Sequence, residues 1–201
     1  MSKNKGLTLV ELIVSFSILS LLMATVAGLL PAFVKQYSYV QNSVHADKIG
    51  TTLLDLMESE LTYCDEILDY SQHDSNGNVL IKYRNKDLIN MRMSVVGNES
   101  KVFEGYDSDF GKEISNGELV LVYESFKYYG PDNSLMDSEP VAWGYTSKFY
   151  SNNIIKNFDI KKISDSNYKT NVYLIEFELS REETGQTKKF SRMIQCINQN
   201  G

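Results

Sequence analysis

Residues 12–34 carry no charged side chain, a run of 23 positions. That length suffices for a helix to cross a lipid bilayer. Beyond Val34 the apolar positions become periodic: Ile49, Leu53, Leu56, Met57, Leu61, Cys64, Ile67 and Leu68 recur at helical spacing. Thr51, Asp55, Glu58, Thr62 and Asp65 take the other side. The pattern predicts one long helix over about 8–67, uniformly apolar at first and amphipathic later. Gly28 and Pro31 weaken its middle, and Gly50 costs about 1 kcal/mol relative to alanine, so bends are expected there.

From Ser71 onward the pattern changes to strands separated by turn residues. Asn76 and Gly77 form a turn before a strand at 79–84. A strand at 88–96 follows, and Gly97 and Asn98 turn the chain into 101–106. Residues 118–129 read as the strongest middle strand, stopped by Gly130 and Pro131, with 107–117 and 132–142 as loops. The closing hairpin pairs 168–180 with 188–197 across Glu183, Thr184, Gly185 and Gln186. Within it, Tyr173, Ile175, Phe177 and Leu179 alternate with Val172, Leu174, Glu176 and Glu178, which predicts one buried and one partly acidic face. No internal repeat or low-complexity linker interrupts the order. The expected fold is α+β: a long N-terminal helix packed on a mainly antiparallel sheet.

Glu11 stands immediately before the uncharged run, where a carboxylate costs a few kcal/mol on insertion scales. Something must compensate it. A cut after Gly6 would place the new amino group of Leu7 one helical turn away, and a neighbouring subunit could bring its own amine to this acid. Glu11 would then set the register of assembly.

The segment Lys5, Gly6, Leu7, Thr8, Leu9, Val10, Glu11 resembles the processing site of type IV prepilins and type II secretion pseudopilins. The resemblance is strong over about the first 35 residues and extends beyond them only in outline. It implies that prepilin peptidase cuts between Gly6 and Leu7, that Leu7 becomes the N-methylated terminus, and that Glu11 is the docking acid. Leu7 departs from the commoner phenylalanine, and Pro31 lies near, but not in line with, the helix-weakening proline of many pilins. The implied organisation is a leader at 1–6, a transmembrane and filament-core helix at 7–34, its amphipathic continuation at 35–69 and a β-rich ectodomain at 70–201. The helix-then-sheet order is similar to that of the larger minor pilins and J-type minor pseudopilins. The implied partners are other pilin or pseudopilin subunits, the peptidase and an assembly platform in the cytoplasmic membrane.

Two other readings fit the start of the chain less well. A secretory signal would use Lys3 and Lys5 as its basic region and Thr25, Val26, Ala27 as its cleavage site, but its apolar core would not open with an acid. A plain single-pass anchor explains the length and neither Gly6 nor Glu11. Lys3 and Lys5 against Lys35 predict a cytoplasmic start and an external carboxyl side, destined for an extracellular filament.

Hydrophobic residues make up 42% of the 201, enough for a packed core outside the membrane. The formal charge is −6, and removing Lys3 and Lys5 with the leader makes it −8. Direct nucleic-acid binding wants clustered Lys and Arg, so none is expected. Cys64 and Cys196 read either as a disulfide tying the helix to the last strand, worth roughly 4–5 kcal/mol in the loop-entropy model, or as two buried thiols.

Catalytic chemistry is not visible. His45 and His73 read as solvated histidines, and no phosphate loop, glycine-flanked nucleophilic serine or histidine-rich metal motif is present. Asp132, Asp137 and Glu139 form a weak calcium candidate in a loop that matches no strict pattern. Tyr128, Tyr129, Trp143, Tyr145, Phe149 and Tyr150 read as a cap on the domain's own core, with an interface as the alternative. No enzyme activity and no cofactor are expected. The sequence therefore favours a minor subunit of a type IV pilus-like filament, acting in initiation, tip capping or adhesion. The alternatives are a minor pseudopilin of a type II secretion or competence machine, and a membrane-anchored extracellular binding protein.

Overall fold

Helix α1 runs Leu9–Thr62 in the computed structural model, which describes residues 8–73, 79–96, 116–124, 127–129, 131, 134–137, 141–163 and 171–197. The chain divides into two units, Met1–His45 and Ala46–Gly201. In the first, the stretch 12–34 carries no charged side chain and its large hydrophobic residues are exposed. A helical segment with no charged face is built to be covered by something equally apolar.

The second unit begins inside α1. Ala46, Ile49, Gly50, Leu53, Leu54, Met57 and Leu61 are buried at helical spacing, while Thr51, Asp55 and Glu58 are exposed. The predicted stripe is thus present as far as Cys64, except that Leu54 takes a core position and Leu56 only a partly buried one; Leu68, expected in it, is exposed.

The helix ends five residues earlier than expected, and the change removes 63–69 from the amphipathic continuation. Strand β1 occupies Glu66–His73. Backbone capture accounts for it: Asp65 N–H donates to the Arg84 carbonyl at 2.8 Å, and the Arg84 side chain pairs with Asp65 and Glu66. Ile67 satisfies a helical stripe and a strand equally well, so its spacing could not decide.

Strands β2 (Val79–Arg84) and β3 (Asn90–Val95) form a hairpin. Its turn is held by Asn85, whose Oδ1 accepts from the N–H groups of Asp87 and Ile89. The expected strand at 118–129 is two strands in different sheets: β4 (Leu119–Tyr123) pairs with β3, whereas β5 (Lys127–Tyr129) pairs with β6 (Leu135–Asp137). The expected loop at 132–142 contains β6 and the start of β7 (Val141–Gly144). Strands of three and four residues are too short to display alternation. The expected turn at 76–77 and strand at 101–106 lie outside the described residues.

A short helix, α2 (Ser147–Tyr150), leads into β8 (Asn153–Ile163), a strand that the period-two pattern conceals. One extra residue is inserted between Lys156 and Asp159 relative to its partner strand, and Asn157 adopts φ 51°. This bulge lets Ile155, Phe158 and Ile160 all face inward, which breaks the alternation in sequence. Strands β9 (Asn171–Arg181) and β10 (Gln186–Cys196) make the predicted hairpin, with Gly185 at φ 66° in the turn. As expected, Tyr173, Ile175, Phe177 and Leu179 are buried.

Among the described residues all pairings are antiparallel, in sheets ordered β1-β2-β3-β4-β7, β10-β9-β8 and β5-β6. One core joins the larger two to the helix: Leu53, Met57 and Leu61 with Ile81, Tyr83, Met93 and Leu121, and with Ile175, Phe177 and Ile194. The fold is α+β. The sheets meet closely at Gly117, whose N–H donates to Val96 O and whose carbonyl accepts from Ile155 N–H at 2.7 Å. Its φ is 80°, and a Cβ there would lie 2.6 Å from Ile154 Cβ, so only glycine fits.

Candidate functional site

Thr8 and Glu11 close the amino-terminal end of α1. The Thr8 N–H and the Thr8 hydroxyl each donate to Glu11 Oε2 at 2.9 Å, and Glu11 N–H donates to Thr8 Oγ1 at 3.3 Å. This is a capping box, in which N-cap and third residue satisfy each other's orphan groups. The Thr8-x-x-Glu11 spacing announces it in the sequence, where Glu11 is expected as a docking acid and its partner Thr8 is not singled out. The box rationalises a carboxylate beside an apolar run: it sits at the positive end of the helix dipole, with oxygen Oε2 doubly hydrogen-bonded. Glu11 itself is exposed. Gly6 and Leu7 lie outside the described residues.

Three hydroxyls further along the apolar run are satisfied within the helix. Ser17 donates to Ile13 O, Ser20 to Phe16 O and Thr25 to Leu22 O, all at 2.7–2.8 Å. Hydroxyls bonded back to their own helix can enter a bilayer without an unsatisfied donor. By length and composition α1 qualifies as a membrane-crossing helix, with none of its most apolar window buried. It is consistent with a membrane anchor.

Cys64, just past the end of α1, and Cys196, the last residue of β10, are brought together as buried thiols. The hydrogen bond between them, and then burial, push the Cys196 pKa well above the usual thiol range.

The calcium candidate is not assembled by anything described. Asp132 and Glu139 fall outside the described residues, and Asp137 is placed only by its backbone pairing with Lys127. Among the described residues no three His, Cys, Asp or Glu side chains are grouped to hold a metal. His45 is exposed on α1, and His73 ends β1.

The aromatic group is graded from core to surface. Tyr150 is buried, and its hydroxyl accepts from Leu119 N–H at 2.9 Å. Phe149 and Tyr145 stack at 4.1 Å against the core, and Trp143 meets Tyr145 edge-on, 40% exposed. The side chains of Tyr128 and Tyr129 lie outside the described set.

The family model of the prokaryotic N-terminal methylation motif matches residues 1–27. No curated protein and no solved structure matches the chain. The motif is characteristic of type IV pilins and pseudopilins. It supports a substrate of prepilin peptidase that assembles with other subunits of that kind.

Proposed function

We propose that the chain is a minor structural subunit of a type IV pilus-like filament, made as a prepilin, cut between Gly6 and Leu7, and methylated on the amino group of Leu7. The observation that carries this reading is the methylation motif over residues 1–27, which covers the start of an exposed helix that carries no charged side chain over 12–34. Its role is structural and non-catalytic: initiation or capping of the filament at its tip, or adhesion. The apolar helices leave lipid for the filament core, and Glu11 meets the amine of a neighbouring subunit. The carboxyl-side domain lies outside the cytoplasmic membrane.

A minor pseudopilin of a secretion or competence machine shares the motif, and the companion subunits separate the two. The mass of the amino-terminal peptide, from cells carrying a prepilin peptidase, tests the proposal. A peptide that begins at N-methylated Leu7 supports it. An intact Met1, or a cut near Ala27, refutes it.

A further inference from the structure

The two cysteines are 132 positions apart in sequence and adjacent in space. Their meeting is not confined to one side-chain contact, because Ile197 N–H donates to the Thr62 carbonyl at 2.9 Å. That bond joins the last turn of α1 to the residue following β10, so the backbones carrying Cys64 and Cys196 are already clamped. Cys64 is 0% and Cys196 2% exposed, and both belong to the central core.

We propose that Cys64 and Cys196 are a modification site: they are joined as an intramolecular disulfide that locks the end of α1 to the end of β10. Among the described residues, strands β1 to β9 lie between the two cysteines and β10 ends on the second, so the bond encloses both larger sheets in one covalent loop. A pull on α1 is then transmitted to β10 through the bridge, and the carboxyl-side end of the helix cannot separate from β10 while it holds.

The chemistry requires an oxidant, and a disulfide-exchange catalyst in its oxidised form supplies it. The Cys64 thiolate attacks one catalyst sulfur and displaces the other as a thiolate. The Cys196 thiolate then attacks Cys64 Sγ, forming the new bond and releasing the catalyst as a dithiol. Two protons and two electrons pass from the cysteine pair to the catalyst. Thiolates are the attacking species, and the folded core holds Cys196 protonated and out of reach. The bridge is therefore made before β10 docks, during folding, and persists afterwards.

The proposal rests on the external placement of this domain, and one digest separates the two. Full-length protein taken from cells under acid quench is alkylated in denaturant, before and after reduction, and both the cysteine peptides and the amino-terminal peptide are weighed. No label before reduction and two after, with the 64 and 196 peptides linked, supports the bridge. Two labels before reduction, or linkage of either cysteine to another protein, overturns it. A processed Leu7 terminus with two free thiols overturns the bridge and leaves the filament reading intact. An unprocessed chain with a linked pair does the reverse. Reduction of the bridged protein is expected to lower its thermal midpoint by roughly 10 °C.

Discussion

The ring of Phe190 occupies the space that a side chain on Gly50 would need. A Cβ built on Gly50 would overlap its Cε1, Cζ and Cδ1 atoms, and Phe190 is in turn stacked on Phe177 with centroids 5.4 Å apart. Gly50 was expected as a weak point in α1. Its role is a notch that brings the helix against β10.

Gly50→Ala tests that role, because helix propensity and packing oppose each other. Alanine gains about 1 kcal/mol in the helix. Displacing a stacked ring from a filled core loses about 1–3 kcal/mol. The expected result is a net loss of about 1 kcal/mol, read by denaturation of the full chain in detergent. Adding Phe190→Leu should recover part of it, and a more stable Gly50→Ala single variant would discard the notch.

The capping box gives Glu11 a local role that must be separated from docking. Glu11→Ala should leave the protein in the membrane fraction and reduce its incorporation into filaments roughly tenfold. Thr8→Ala breaks the same cap, at about 1 kcal/mol of helix-end stability, yet keeps the acid. It should incorporate nearly as wild type. Equal defects in the two variants would assign the effect to capping.

Tyr150→Phe removes one oxygen from the core. The Leu119 N–H that it serves is then buried with no acceptor, which costs about 1–2 kcal/mol. A fall of about 3–6 °C in the thermal midpoint is expected. An unchanged midpoint would mean that another acceptor replaces the hydroxyl.

Glu178 supplies an acid limb to stability. The hydrogen bond from Lys189, then that from Asn157, holds its carboxyl below the usual glutamate range. A depressed folded pKa contributes stability that is present above the unfolded value, near 4.5, and is lost as pH falls through the folded one. Glu178→Gln should therefore be less stable than wild type at pH 7 and converge with it near pH 3. The effect is small, since the Lys189 side chain that pairs with it is largely open to solvent, and a gap that widens on acidification would contradict the assignment.

The sequence by itself determined the apolar span at 12–34, the order of helix before sheet, the inward stripe of α1, the faces of β9 and the closing hairpin. These are set by local periodicity and turn chemistry, which neighbouring residues carry without reference to the rest of the chain. It also determined the segment around Gly6 and Glu11, whose spacing is itself the signal. Tertiary structure alone decided where α1 stops, because a backbone bond from Asp65 to Arg84 outbids a helical turn that Ile67 would equally have allowed. It decided that 118–129 serves two sheets and that a bulge at Asn157 hides β8, since pairing partners lie far off in sequence. And it alone brought Cys64 to Cys196 and Phe190 over Gly50: contacts across more than a hundred residues depend on how the layers close, and no local pattern records that.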